Sequence, residues 1–243
     1  MGRTITKVIL FYILLCVCFL TTGVILKGCS LYVQKEAKDS TEEIQRIYEV
    51  FNYSSKISEY NQDYNEQEVK STEIASASIL LRAYGFKDAS IESFLDNNCI
   101  TFSENNWTDD YCGDNNLNGW CSATALVKFT NKYINLYDTE NVYYAQAGHG
   151  SAKEIFTECL NNNIPVVVWV TQNYELPQWD ISNINDNALA HYTNQYCMVA
   201  YKKQADIIYL IDPFSGQKQI NICDFETIFE ACGGQYMKIK TNE

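Results

Sequence analysis

The sequence predicts an α+β fold: helices packed on an antiparallel sheet, preceded by an N-terminal transmembrane helix. Three observations lead there. Residues 8–26 carry no charge, a run of 19 against the ~20 that cross a bilayer. Apolar residues then recur three and four apart over 72–83 and 122–135, the helical period. Short apolar runs follow, led by Pro165–Thr171, and helices first with strands clustered later is the α+β order.

The N-terminal run is flanked by Arg3 and Lys7 before it and Lys27 after it. The positive-inside rule puts the short N-terminus in the cytoplasm and the rest outside. The run is apolar on all faces, unlike an amphipathic core helix. A cleaved signal segment is the rival reading. Leu26-Lys27-Gly28-Cys29 is close to a bacterial lipobox, although Lys27 stands where a small or apolar residue is usual. The expectation is an uncleaved single-pass anchor in the cell membrane, with a lipoprotein anchored at Cys29 as the alternative. Either way residues 1–28 are an anchor or signal segment and the remainder is extracellular.

Residues 29–68 read as a polar connector. Within it Ser40–Glu43 has capping-box spacing, and Ile44, Ile47, Tyr48 and Phe51 follow at helical intervals, a short amphipathic helix. The globular domain spans 69–243. Its first helix is Thr72–Ala83, with Ile74, Ala77, Leu80 and Leu81 on one face and Gly85 at the stop. A short helix at 90–96 precedes a long Asn-, Asp- and Gly-rich loop over 97–118. A helix is predicted over 122–135, a strand over 142–147 and a helix over 151–161. Pro165–Thr171 is a buried strand, followed by strands at 196–201 and 207–211, a turn at 212–216, a helix at 224–231 and a strand at 235–239.

The chain is 47 % hydrophobic and 14 % aromatic, enough to build a core. Its net charge is −12. No acid precedes Cys29, so residues 29–243 hold 15 basic against 30 acidic side chains, a formal −15. Such a surface repels phosphates, which excludes nucleic acid as a partner. Of ten cysteines, seven lie in the domain, an odd number, and Cys99 with Cys112 in the polar loop is the expected disulfide. Without a Cys-x-x-Cys or His-x-x-x-His pair, neither a metal nor a cofactor is expected.

The stretch Thr72-Glu-Ile-Ala-Ser-Ala-Ser-Ile-Leu-Leu-Arg-Ala-Tyr-Gly-Phe86 resembles the nucleophile helix of C39-like peptidases, Gly-Cys-Glu-x-x-x-x-x-x-Leu-Leu-x-x-Tyr-Gly-Tyr, within the papain-like superfamily. Gly119-Trp120-Cys121, the strand Asn163–Thr171 and the turn Asp212-Pro-Phe-Ser-Gly216 resemble further family segments in the same order. The resemblance implies a papain-like fold and a catalytic thiolate, histidine and aspartate. The nucleophile position falls on Thr72 and the orienting acid on Asp212. Counting back from Asp212 without gaps puts Tyr196 at the histidine position, whereas matching Ala200-Tyr201 to the family's Gly-Tyr puts Asn194 there. His191 needs a slip of several residues.

Thr72, Tyr196 and Asp212 are therefore degenerate triad positions. A hydroxyl is far less acidic than a thiol, and neither phenol nor amide is a base near neutral pH. The expected function is a non-catalytic pseudopeptidase that binds a peptide or protein. The alternative is an active hydrolase using Thr72, or Cys121 ahead of a helix with His149 or His191 as its base.

Overall fold

The protein is described by a computed structural model at residues 71–103, 106, 108–184 and 187–242. The apolar run 8–26, Cys29 and the connector helix lie outside the described residues. Among the described residues, no helix is long and apolar enough to cross a membrane.

The core element is a six-stranded sheet between two helical layers. Its strands are β4 (Tyr143–His149), β5 (Val166–Thr171), β8 (Gln195–Gln204), β9 (Ile207–Asp212), β10 (Gly216–Asn221) and β11 (Gln235–Thr241), in spatial order β10-β9-β8-β5-β11-β4 and antiparallel throughout. Helices α1 (Thr72–Ala83) and α3 (Ala123–Tyr137) cover one face, joined by the short α2 (Ile91–Asp96). Helices α4 (Ala152–Glu158) and α5 (Ile222–Ala231) cover the other. Strand β5 is buried on both sides, which explains its unbroken apolar run. Val167 and Trp169 face α1, while Val166, Val168 and Val170 face α5.

The same alternation runs through β8. Cys197 and Val199 pack with the α1 layer, and Tyr196, Met198 and Ala200 pack with the α5 layer. On β9 Ile211 belongs to the α1 layer, and Ile208 and Leu210 to the other. Val199 pairs with Ile211, and a β-bulge between Ala200 and Lys202 shifts the register beyond them. This pleat decides which side chains can meet at the end of α1.

Several boundaries depart from expectation. The predicted loop 97–118 contains β1 (Phe102–Ser103) and β2 (Tyr111–Gly113), which join β3 (Gly119–Trp120) in a small three-stranded sheet. Strands β6 (Trp179–Ile184) and β7 (Asn187–Tyr192) form a separate hairpin, and β10 pairs with β9; the sequence reading assigned no strand to any of the three. The helix expected over 151–161 ends at Glu158 and finishes as a 3-10 turn, Leu160–Asn162, closed by Asn163 at φ 52°. Asparagine tolerates that left-handed conformation, as a glycine would. The expected Cys99–Cys112 disulfide is absent. Cys99 is buried against the core, its Sγ 3.9 Å from the Asn97 carbonyl oxygen, and Cys112 is half-buried on β2.

Candidate functional site

The N-terminus of α1 sits in a polar knot. Ser71 caps the helix, its Oγ accepting from the Ile74 N–H at 3.3 Å. Thr72, the first helical residue, is buried. Its Oγ1 accepts from the Cys197 N–H at 3.0 Å and donates to Glu73 Oε2 at 3.3 Å. The single hydroxyl proton of Thr72 is thus directed at a carboxylate.

Glu73 is the centre of the knot and only 3 % exposed. Its Oε2 also accepts from Ser71 Oγ at 2.9 Å. Its Oε1 accepts from Gln195 Nε2 at 2.7 Å and from the Cys121 N–H at 3.4 Å. Burial raises the carboxyl above its ordinary pKa, and the surrounding donors offset only part of that. The Cys121 carbonyl in turn accepts from Trp169 Nε1 at 3.1 Å and from Gln195 Nε2 at 3.4 Å. Four parts of the chain, α1, the approach to α3, β5 and β8, are tied together at this point.

Beside the knot lies a cleft of about 380 Å³, bordered by Thr72, Glu73, Trp120, Asn194, Gln195 and Tyr196 among others. The β8 side chain that reaches from this cleft toward Thr72's neighbour Glu73 is Gln195, on the same pleat as Cys197. Tyr196 borders the cleft, but its ring belongs to the α5 layer, and its hydroxyl donates to Asp212 Oδ1 at 2.9 Å. Tyr196 and Asp212 therefore come together as the sequence implies, on adjacent strands, yet on the sheet face away from α1. Burial and the Asp212 charge raise the Tyr196 phenol further above neutrality. Asp212 also accepts from the Phe214 and Ser215 N–H groups at 2.9 and 3.1 Å and from Ser215 Oγ at 2.5 Å, which makes it the acceptor of the Asp-Pro turn.

The remaining candidates separate. Asn194 pins the preceding loop, its Oδ1 accepting from the Gln178 N–H at 2.9 Å and its Nδ2 donating to the Leu176 carbonyl at 3.2 Å. Cys121 is fully buried, and its thiol is pushed well up by burial and then by the Glu73 charge. A protonated, inaccessible thiol is a poor nucleophile. His149 is exposed at the end of edge strand β4, opposite Gln235. His191 lies on β7 opposite Asp180. Among the described residues, no three metal-ligating side chains gather into a site. Sequence reasoning missed Gln195 and gave Glu73 no role. The alternation that puts Gln195 on the side of Cys197 was the available signal.

The chain matches the Peptidase_C39 like family over residues 51–237. No curated protein matches it. Among solved structures it is similar to a C39-like peptidase from Bacillus anthracis, with 17 % identity and a TM-score of 0.57 over 72 % of this chain and 90 % of that one. It is also similar to a double glycine motif protease from an AMS/PCAT transporter, solved in complex with the leader peptide, with 16 % identity and a TM-score of 0.43 over 73 % and 89 % of the two chains. At such identities the likeness to solved structures speaks for the fold alone.

Proposed function

The chain belongs to the C39-like peptidase family, and from that membership we propose that it is a non-catalytic member which binds a peptide or protein outside the membrane. The observation that carries this reading is the pairing at the cleft. A threonine hydroxyl and a glutamine amide stand where the family's chemistry calls for a thiolate and an imidazole. An amide does not titrate, and Tyr196, the other residue at this strand end, has its phenol turned toward Asp212 and its pKa raised. The retained cleft, about 380 Å³ and open beside α1, supports binding.

The contact between Thr72 Oγ1 and Glu73 Oε2 favours one other reading, hydrolysis with Thr72 as nucleophile and Glu73 as its base. Against it, Thr72 is only 5 % exposed, its hydroxyl is held by the Cys197 N–H, and the contact is a long 3.3 Å. Incubating the full chain with a diverse peptide library and mapping new termini separates the two. We expect none. Cleavage that Thr72→Ala abolishes overturns the non-catalytic reading, and cleavage that Glu73→Gln also abolishes assigns the base.

The tether is the second part of the proposal. The uncharged run 8–26, its basic flank and the formal −15 of the rest support a single-pass protein with its domain outside the cell. Intact-mass measurement of the native protein tests it. Residues 1–28 missing and a diacylglyceryl group on Cys29 would replace the helix with a lipid.

A further inference from the structure

A second cavity opens at the opposite end of α1. The helix has 12 residues, so at 1.5 Å each its last turn lies about 18 Å from the cleft. There Tyr84, Phe86, Tyr133, Tyr137 and Tyr143 wall a cavity of about 400 Å³. The rings touch in sequence. Tyr84 meets Tyr143 with centroids 5.7 Å apart at 77°. Phe86 meets Tyr143 at 5.9 Å and 68°, and Tyr133 at 6.5 Å and 67°. Tyr133 meets Tyr137 at 4.7 Å. Steep angles between neighbours turn a row of rings into the sides of a box. Tyr137 stands at its mouth, 50 % exposed, beside Leu136 at 54 %. Core packing does not explain a half-exposed aromatic ring at the edge of a cavity.

Charge narrows the ligand. Asp88 and Asp138 stand on the rim, with Lys87 the single basic residue among the lining. The ring faces are electron-rich, the rim is net negative, and the whole chain at −12 concentrates cations around it. The polar groups that could receive N–H donors are partly engaged already. Asp138 Oδ2 accepts from the Tyr143 N–H at 2.6 Å, and the Tyr84 hydroxyl is turned to the Ile239 carbonyl at 3.4 Å. A primary ammonium is strongly hydrated and must give up that hydration to sit against rings. A quaternary head meets the ring faces with its methyl groups.

From these features we propose that the aromatic cavity at the C-terminal end of α1 binds a small quaternary ammonium molecule, its positive head against the rings and its charge balanced by Asp88 and Asp138. This site is independent of the cleft and of whether the cleft is catalytic.

Titration calorimetry on the full chain in maltoside micelles tests the assignment. Choline chloride and tetramethylammonium chloride serve as probes, at ionic strength held constant with sodium chloride. The neutral isostere 3,3-dimethylbutan-1-ol and the primary amine butylammonium are the comparisons. Saturable binding of both quaternary ions is expected, with the alcohol and butylammonium at least about tenfold weaker. Tyr137→Ala should weaken choline about tenfold, while Tyr137→Phe, which keeps the ring, should stay within about twofold. Asp88→Asn, at an exposed rim position, should weaken choline but not the alcohol. No saturation by choline overturns the proposal. So does an alcohol that binds as well as choline, a butylammonium that binds better, or a Tyr137→Ala protein that melts and binds like the wild type.

Discussion

Thr72 and Gln195 both hydrogen-bond to Glu73, whereas the Tyr196 hydroxyl reaches Asp212 on the other face of the sheet. A strand shifted by one turns every side chain to the other face. The bulge between Ala200 and Lys202 places one more residue on β8 than on β9, and a count back from Asp212 that allows for it ends on Gln195, where the gap-free count stops one short at Tyr196. The start of α1 was legible, since a helix start is marked by its own cap, while the facing of the β8 side chains before the bulge was not, since a bulge leaves no mark in local sequence. This makes a sharp prediction. Thr72→Cys with Gln195→His should react with iodoacetamide near neutral pH at least about tenfold faster than Thr72→Cys alone, because an imidazole then stands beside the thiol. Thr72→Cys with Tyr196→His should not. Equal rates in the two double variants would refute the pleat argument. Glu73 gives a second test. Its carboxyl is raised above the ordinary 4.5 in the folded protein by burial. Above pH 4.5 the unfolded chain releases this proton while the folded one keeps it, so the Glu73 contribution is full at low pH and fades as pH rises. Glu73→Gln should remove that slope from denaturant-derived stabilities measured upward from pH 4.5. It should also cost about 1–3 kcal/mol, since an amide N–H₂ then meets the donors of Ser71 and Thr72 or of Gln195 and Cys121. A variant with the slope of the wild type would show that Glu73 does not titrate in this range.

Elements were legible where one side chain set met one environment. Helix α1 and strand β5 show in the sequence because apolar spacing and burial coincide. Strand β10, Gly216–Asn221, reads Gly-Gln-Lys-Gln-Ile-Asn, and as the sheet's edge it buries little beyond Ile220. Its pairing with β9 comes from the Asp212 turn rather than from its own residues. Strands β1 to β3, two or three residues each, are too short to display any period. Connections carry stability of their own. Gly234 links α5 to β11 at φ +63°, and its carbonyl accepts from the Gly150 N–H at 3.1 Å. A Cβ there would strike the Gly150 carbonyl oxygen, which has no room to retreat within the backbone. Gly216, at φ +83°, has open space where its Cβ would sit. Gly234→Ala should therefore destabilise by more than about 2 kcal/mol, and Gly216→Ala by about 1 kcal/mol, the conformational cost alone. Thermal melts of the two variants side by side decide it. Equal losses would mean that the Gly150 contact relaxes freely.

At the scale of the whole molecule, the seven thiols of the domain bear on its surroundings. Five of them, Cys99, Cys121, Cys159, Cys197 and Cys232, are buried. The proposed placement outside the membrane would expose the domain to an oxidising medium, where accessible neighbouring cysteines pair. Burial protects these five in two ways. It bars reagents sterically, and it raises each thiol above its ordinary pKa, Cys232 to about 11. At pH 8 a thiol with a pKa near 11 is about 0.1 % thiolate, so even transient exposure yields little reaction. Cys223 is exposed and Cys112 half-buried. Brief labelling of the native chain with a maleimide, followed by peptide mapping, should mark Cys223 first and Cys112 more slowly. The five buried positions should resist until denaturant is added, and Cys16, Cys18 and Cys29 are scored on their own peptides. Mapping without reductant should find no bridge between Cys99 and Cys112. A bridge there would show that the 97–118 segment rearranges under oxidising conditions. Rapid native labelling of Cys121 or Cys197 would show that the knot around Glu73 opens readily, and a cleft that opens in that way would return Cys121 to the list of possible nucleophiles.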